Sequence, residues 1–158
     1  MWLITCLFIS IFLIKNSESE SQCSSPYPCN YSYTYNAELD QCYKLYAGGV
    51  MDFNGAEDKC VQDGAHLASI HSEKENEFVT ELAFTDGGTT SFCKWINAWI
   101  GLNFTNGNWS WTDGTPLDYT KWGCNLPQDG YETCAFTNTA HSSDKCGDWY
   151  GLWDNAHE

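Results

Sequence analysis

The residues that could do chemistry are first of all the cysteines. The chain has nine, and Cys6 lies in an apolar stretch at the N-terminus. That leaves Cys23, Cys29, Cys42, Cys60, Cys93, Cys124, Cys134 and Cys146. An even set in an exported chain reads as a disulfide framework. Zinc would need paired ligands at short spacing. No C-x-x-C pair occurs, and His66, His71, His141 and His157 stand at no ligand spacing to a cysteine pair. Hydrolytic chemistry would need a nucleophile beside a positioned His, or two carboxylates in a cleft. Asp113 and Asp118 flank a turn, His66 and His71 read as surface or capping residues, and no G-x-S-x-G elbow appears. The sequence is therefore read as a binding protein, not an enzyme. Three triplets are acceptors for N-linked sugar: Asn30-Tyr-Ser32, Asn103-Phe-Thr105 and Asn108-Trp-Ser110.

Export is read from the N-terminus. Trp2 to Ile14 is almost wholly apolar, broken only by Thr5 and Ser10. It falls short of the about 20 helical residues that cross a bilayer. Small residues follow in Asn16-Ser17-Glu18-Ser19. Residues 1–19 are expected to be a secretory signal peptide, and 20–158 a single extracellular domain. No second apolar run of membrane length occurs, so no membrane span is expected. The formal net charge of −14 argues against nucleic acid and anionic membrane surfaces as partners. Eight Trp and nine Tyr indicate a packed, loop-rich domain and argue against a disordered chain.

The elements that must hold these residues follow from periodicity. Residues 20–41 are polar and irregular, and Cys42–Tyr46 alternates as a strand does. Phe53, Ala56, Cys60 and Val61 share a helical face, and Gly64 stands where a C-terminal glycine cap would. Ser72 and Glu75 form a capping-box pattern that opens a second helix, with Phe78, Val79 and Leu82 as its apolar face. Helices are expected over 52–63 and 72–84, covering one side of a sheet. Trp99–Leu102, Trp109–Trp111, Cys134–Asn138 and Gly151–Trp153 read as strands. Asn106-Gly107 is a hairpin turn, and 116–133 is a long loop. The fold class is α+β: two helices packed on antiparallel strands, with a long loop between them.

In order and spacing, Cys42-Tyr-Lys, Cys60, Gly64–His71, Glu75-Asn76, Trp99-Ile-Gly-Leu102, Trp122 and Trp153 resemble the C-type lectin-like domain family, in its long form. The resemblance covers about residues 29–158, and in tone it is similar to secreted nematode members. It implies a C-type lectin-like fold that recognises a glycan, or a cell-surface or extracellular protein, with innate defence as a setting. It implies a disulfide between Cys29 and Cys42. It also implies a closing strand with two cysteines beyond Trp153, which the sequence lacks. An incomplete C-terminus is therefore expected, and Cys60 and Cys134 are left without the family's partners. New pairs would be Cys93–Cys124 and Cys134–Cys146, with Cys23 and Cys60 unassigned. Four leftover cysteines allow three connectivities, so the pairing stays open.

The family's sugar site holds calcium at the long loop, through hard oxygen ligands. Carried onto this chain, the ligand-binding loop is Pro127, Gln128 and Asp129, with a cis bond before Pro127. The calcium donors are Gln128, Glu132, Asp154 and Asn155. Leu126 stands where another oxygen donor would, and Asp154-Asn155 is in swapped order. The family's second calcium site would need Leu102, Asn106, Glu132 and Thr133, and is expected to be absent. Calcium is thus the one cofactor in view, at a degenerate site. Carbohydrate binding is expected with weak or lost calcium dependence. The alternative is a calcium-independent protein-binding module without sugar chemistry.

Overall fold

The computed structural model describes residues 28–47, 51–84, 97–128, 133–141 and 147–157 with their side chains, and residues 2–8 and 143–144 as backbone. The elements in chain order are β1 (Trp2–Phe8), β2 (Thr34–Asn36), β3 (Gln41–Ala47), α1 (Phe53–Gln62), β4 (His66–Leu67) and α2 (Glu73–Ala83). They continue with β5 (Asn97–Thr105), β6 (Asn108–Trp111), β7 (Cys134–Asn138), β8 (Ser143–Asp144), β9 (Gly147–Asp148) and β10 (Trp153–Ala156).

Both helices begin where the sequence chemistry directs, and α1 ends there as well. The Asp52 carboxylate accepts the Gly55 N–H and caps α1. At the other end Gly64 takes φ +76°. Its N–H donates to Val61 O, and that of Ala65 donates to Cys60 O, the paired bonds of a Schellman stop. Ser72 caps α2 by accepting the Glu75 N–H at 3.2 Å. The Glu75 carboxylate reaches back to His71 N at 2.8 Å, one residue before the cap residue of a regular capping box.

The main sheet runs β10-β7-β5-β1-β3-β2, with β6 on β5 and β4 on β1. Its pairs are antiparallel except β1 with β5, which is parallel. Alternation along β5 and β7 explains the layering. Trp99, Cys134 and Phe136 pack with Phe53, Ala56 and Cys60 of α1. Ile100, Leu102 and Ala135 pack with Val79 of α2, Tyr43, Trp111 and Trp153. The two helices therefore lie on opposite faces of the sheet, not on one side. Periodicity reveals that a helix has a buried face, but not which layer will cover it.

Three further differences from the sequence reading have physical causes. Val61 is 51 % exposed, because the α1 stripe is only Phe53, Ala56 and Cys60 wide. The buried face of α2 is part polar: Glu75, Asn76 and Thr80 join Val79 and Ala83, while Phe78 and Leu82 pack at its margin. The third concerns Trp2–Phe8, read above as leader. It lies between β3 and β5, with Cys6 opposite Lys44 and Ile4 opposite Trp99. An apolar run without Gly or Pro suits a strand flanked on both sides as well as it suits a leader.

Cys29 and Cys42 form the expected disulfide, with Cα atoms 5.7 Å apart. Cys60 and Cys124 are each engaged in a disulfide of their own. Cys93 and Cys146, named for the other two pairs, lie outside the described residues.

The N-terminal hairpin is fastened to α1 by one carboxylate. Asp63 accepts bonds from Lys44 (2.5 Å), Tyr33 (3.2 Å) and Tyr46. The Lys44 and Tyr46 bonds hold the Asp63 carboxyl down at about 2. A carboxyl lowered on folding contributes stability that is present above its unfolded value, near 3.9, and is lost as pH falls through the folded value. The stability difference between the wild-type chain and an Asp63→Asn variant should therefore shrink steadily between pH 5 and pH 2. Urea unfolding across that range measures it, and a constant difference would contradict the assignment.

Candidate functional site

The long loop is built up from the start of α2. Asp113 accepts Ser69 Oγ at 2.6 Å through one oxygen, and the N–H and hydroxyl of Thr115 through the other. His71 Nδ1 lies 2.7 Å from Asp118 Oδ1, and that contact lowers the Asp118 carboxyl from its ordinary value. Glu73 takes Lys121 and, at 2.7 Å, the Tyr119 hydroxyl. Those two bonds lower the Glu73 carboxyl, while burial raises the Tyr119 hydroxyl. Asp113 and Asp118 thus anchor the loop separately and do not face each other as a pair.

The loop's middle is zipped onto β10. Trp153 N donates to Lys121 O, and Gly123 N to Trp153 O, each at 2.8 Å. Gly123 is required there, since a Cβ would stand 2.3 Å from the Trp149 ring. Beneath the zipper, Trp153 is wholly buried. Its Nε1 donates to Asn76 Oδ1 at 2.7 Å, and Asn76 Nδ2 donates to Gly151 O at 2.9 Å. The Glu75-Asn76 pair is therefore structural: Glu75 takes the buried Tyr43 hydroxyl at 2.8 Å, and Asn76 ties α2 to the last strand. This network was missed in the sequence. Its signal was a polar residue at helical spacing from Val79, Thr80 and Ala83.

Beyond Gly123 the loop turns at Asn125 (φ +62°) and passes through a cis Leu126–Pro127 bond, as expected. Gln128 then meets Asn155 reciprocally. Its N–H donates to Asn155 Oδ1, and its carbonyl accepts from Asn155 Nδ2, both at 3.0 Å. Asn155 is 4 % exposed. Trp153 and Asn155 share the inner face of β10, whereas Asp154 points the other way. Asp154 Oδ1 accepts the neighbouring Asn155 N–H at 2.8 Å.

The proposed calcium donors are thus treated unequally. Gln128 and Asn155 are brought together, but by a peptide unit and a carboxamide that satisfy each other. Asp154 is directed away from them. The Gln128 side chain is exposed, and Asp129 and Glu132 lie outside the described residues. A hard cation needs several oxygens converging on one point, and Gln128, Asp154 and Asn155 do not supply that convergence. Among the described residues no group of three or more His, Cys, Asp or Glu could hold a metal ion.

An Asn155→Leu variant keeps the branched side-chain shape but leaves the Gln128 N–H and carbonyl without their Asn155 partners. Gln128 is exposed, so water takes up the freed groups and each lost bond costs about 0.5–1.5 kcal/mol; a loss of that order is expected by chemical denaturation. Faster proteolytic nicking near Gln128 should accompany it. Unchanged stability and nicking would contradict the tether.

Comparison with known proteins agrees with this geometry. The "Lectin C-type domain" family model matches residues 49–156. A type-2 ice-structuring protein of Brachyopsis segaliensis is 39 % identical over 62 % of this chain and 52 % of its own length. The galactose-specific lectin nattectin of Thalassophryne nattereri is 32 % identical over 70 % of this chain and 67 % of its own. The chain spans only 52 % and 60 % of the length of the two ice-structuring relatives it matches. Among solved structures, a calcium-independent type II antifreeze protein aligns with TM-score 0.61 at 29 % identity, over 82 % of this chain and 85 % of that one. The carbohydrate-recognition domain of cow CD23, solved with an oligosaccharide, aligns with TM-score 0.61 at 26 % identity, over 81 % and 84 %. The layered fold, the cis-proline loop zipped to β10 and the matched family model together place this chain in the C-type lectin domain family.

Proposed function

We propose that the chain is a secreted recognition domain that binds carbohydrate with weak or no dependence on calcium, and that it is not an enzyme. The observation that carries this is the Gln128–Asn155 pair. It fixes the long loop by hydrogen bonds within the protein, so the loop needs no ion to keep its shape. Leu126 beside Pro127 removes one more oxygen donor. A calcium-independent antifreeze protein with this fold supports the reading, and a galactose-specific relative supports sugar as the ligand class. Secretion rests on residues 1–19 directing export, on the disulfides and on the acidic composition. No described helix is long and apolar enough to cross a membrane. A role in innate defence and a likeness to nematode members belong to the same proposal.

A glycan array probed in calcium and again in chelator tests it. Binding that survives chelation is expected. Binding abolished by chelation would overturn the calcium-independent mechanism, and no glycan binding at all would overturn sugar as the ligand. The second reading, a protein partner, is favoured by Phe104 and Leu117, which are 37 % and 38 % exposed. Large apolar and aromatic side chains of this kind are typical of protein interfaces.

A further inference from the structure

Two of the three sugar-acceptor triplets fall on one hairpin, and its register interlocks them. In the β5–β6 pair, Asn103 stands opposite Ser110 and Thr105 opposite Asn108. Each acceptor asparagine therefore faces the hydroxyl residue of the other triplet. Residues paired across strands share a face, so Asn103, Thr105, Asn108 and Ser110 form one polar patch. Phe104 and Trp109 occupy the opposite face, with ring centroids 5.4 Å apart. Ser110 Oγ donates to Asn103 Oδ1 at 3.4 Å and lies 3.5 Å from Thr105 Oγ1.

The two asparagines differ in setting. Asn103 lies on the inner strand, flanked by Ser110 of β6 and the buried Cys134 of β7. Its side chain is half-buried, and its amide oxygen is engaged. Asn108 opens β6 beside the Asn106-Gly107 turn and is exposed. Its Nδ2 makes a single local bond, to Asn106 O at 3.3 Å. An N-glycosidic nitrogen keeps one hydrogen, so that bond survives modification. As diagonal neighbours, the two acceptors are only about 7–8 Å apart, too close for two branched oligosaccharides to stand side by side on a sheet.

We infer that this hairpin carries one N-linked oligosaccharide, on Asn108, and that Asn103 stays bare. The inference rests on the secretion proposed above. The donor is a lipid-diphosphate-linked oligosaccharide. Asn108 Nδ2 bonds to the anomeric carbon, the bond from that carbon to the diphosphate oxygen breaks, the diphosphate leaves with the electron pair, and Nδ2 gives up one proton. A glycan here would stand on β6, which pairs only with β5 among the described residues. It would shield that strand edge from pairing with another chain.

The test is to express the full chain in a secreting eukaryotic cell and to cut the secreted protein after Lys94 and Lys121, which leaves both acceptors on one peptide. A glycosidase that converts occupied Asn to Asp, used in heavy-oxygen water, marks each site. Label at residue 108 alone is expected. Asn108→Gln and Ser110→Ala should each lose that glycan and leave residue 103 unlabelled, while Asn103→Gln should change nothing. Label at residue 103, alone or with 108, in the wild-type or a variant chain overturns the inference. A bare hairpin on secreted protein overturns it while sparing secretion, and retention of an unglycosylated chain in the cytosol overturns both.

Discussion

Replacing Trp153 by Ala is expected to destabilise the domain by about 3–5 kcal/mol, the range for removing a large aromatic from a packed core. Trp153 is 0 % exposed. It meets the rings of Trp111, Tyr119 and Trp122 edge-on, at 5.7, 5.7 and 5.8 Å between centroids. The loss is not confined to packing. Without the indole N–H, Asn76 Oδ1 is left buried and unpartnered, which accounts for about 1–3 kcal/mol of that loss. Trp153→Phe separates the two effects in part, since it keeps a six-membered ring in the core and deletes the donor with the rest of the indole. Its cost should be smaller than that of Trp153→Ala but at least about 1 kcal/mol. Guanidinium unfolding followed by tryptophan fluorescence measures both variants. A loss under about 1 kcal/mol for Trp153→Ala would show that the strand and loop are held by something else.

The second large effect concerns β1. Six residues of β1, from Leu3 to Phe8, are in register with β3, and Trp2 to Ile4 are in register with β5. A chain begun at residue 20 loses that strand. The inward edges of Gln41–Ala47 and Asn97–Trp99 then keep unpaired N–H and carbonyl groups. Exposed strand edges recruit strands from other chains, so the shortened chain should self-associate and melt at a lower temperature than the full one. Light scattering and thermal unfolding compare the two directly. A shortened chain that stays monomeric with an unchanged midpoint would mean that β1 contributes nothing to the sheet. The result bears on export as well, because removal of the leader would open the same gap.

How far the sequence could be read depended on whether a feature is local. The Asp52 and Ser72 ends, the Gly64 stop and the Asn106-Gly107 turn are each set by a few adjacent residues, and all stand in the structure. The Cys29–Cys42 bridge and the cis Leu126–Pro127 bond were legible through the family resemblance. Features that depend on what lies across the fold were not legible. Trp2–Phe8 has the composition of a leader, and composition does not say whether a gap in a sheet awaits it. Glu75 read as a capping-box residue and Asn76 only as part of the family pattern, whereas Tyr43, Gly151 and Trp153 lie against them. The oxygen donors at 154 and 155 counted as two from the sequence. Strand alternation then turned Asp154 away and gave Asn155 to the loop backbone.

The measurement closest to the central claim is a calcium-binding isotherm on the folded, disulfide-intact protein, by titration calorimetry. Extracellular calcium modules bind with Kd about 10⁻⁴–10⁻³ M. The account predicts no saturable binding tighter than that range, and the same glycan binding with calcium or chelator. A single site tighter than about 10⁻⁴ M, with glycan binding lost on chelation, would contradict it.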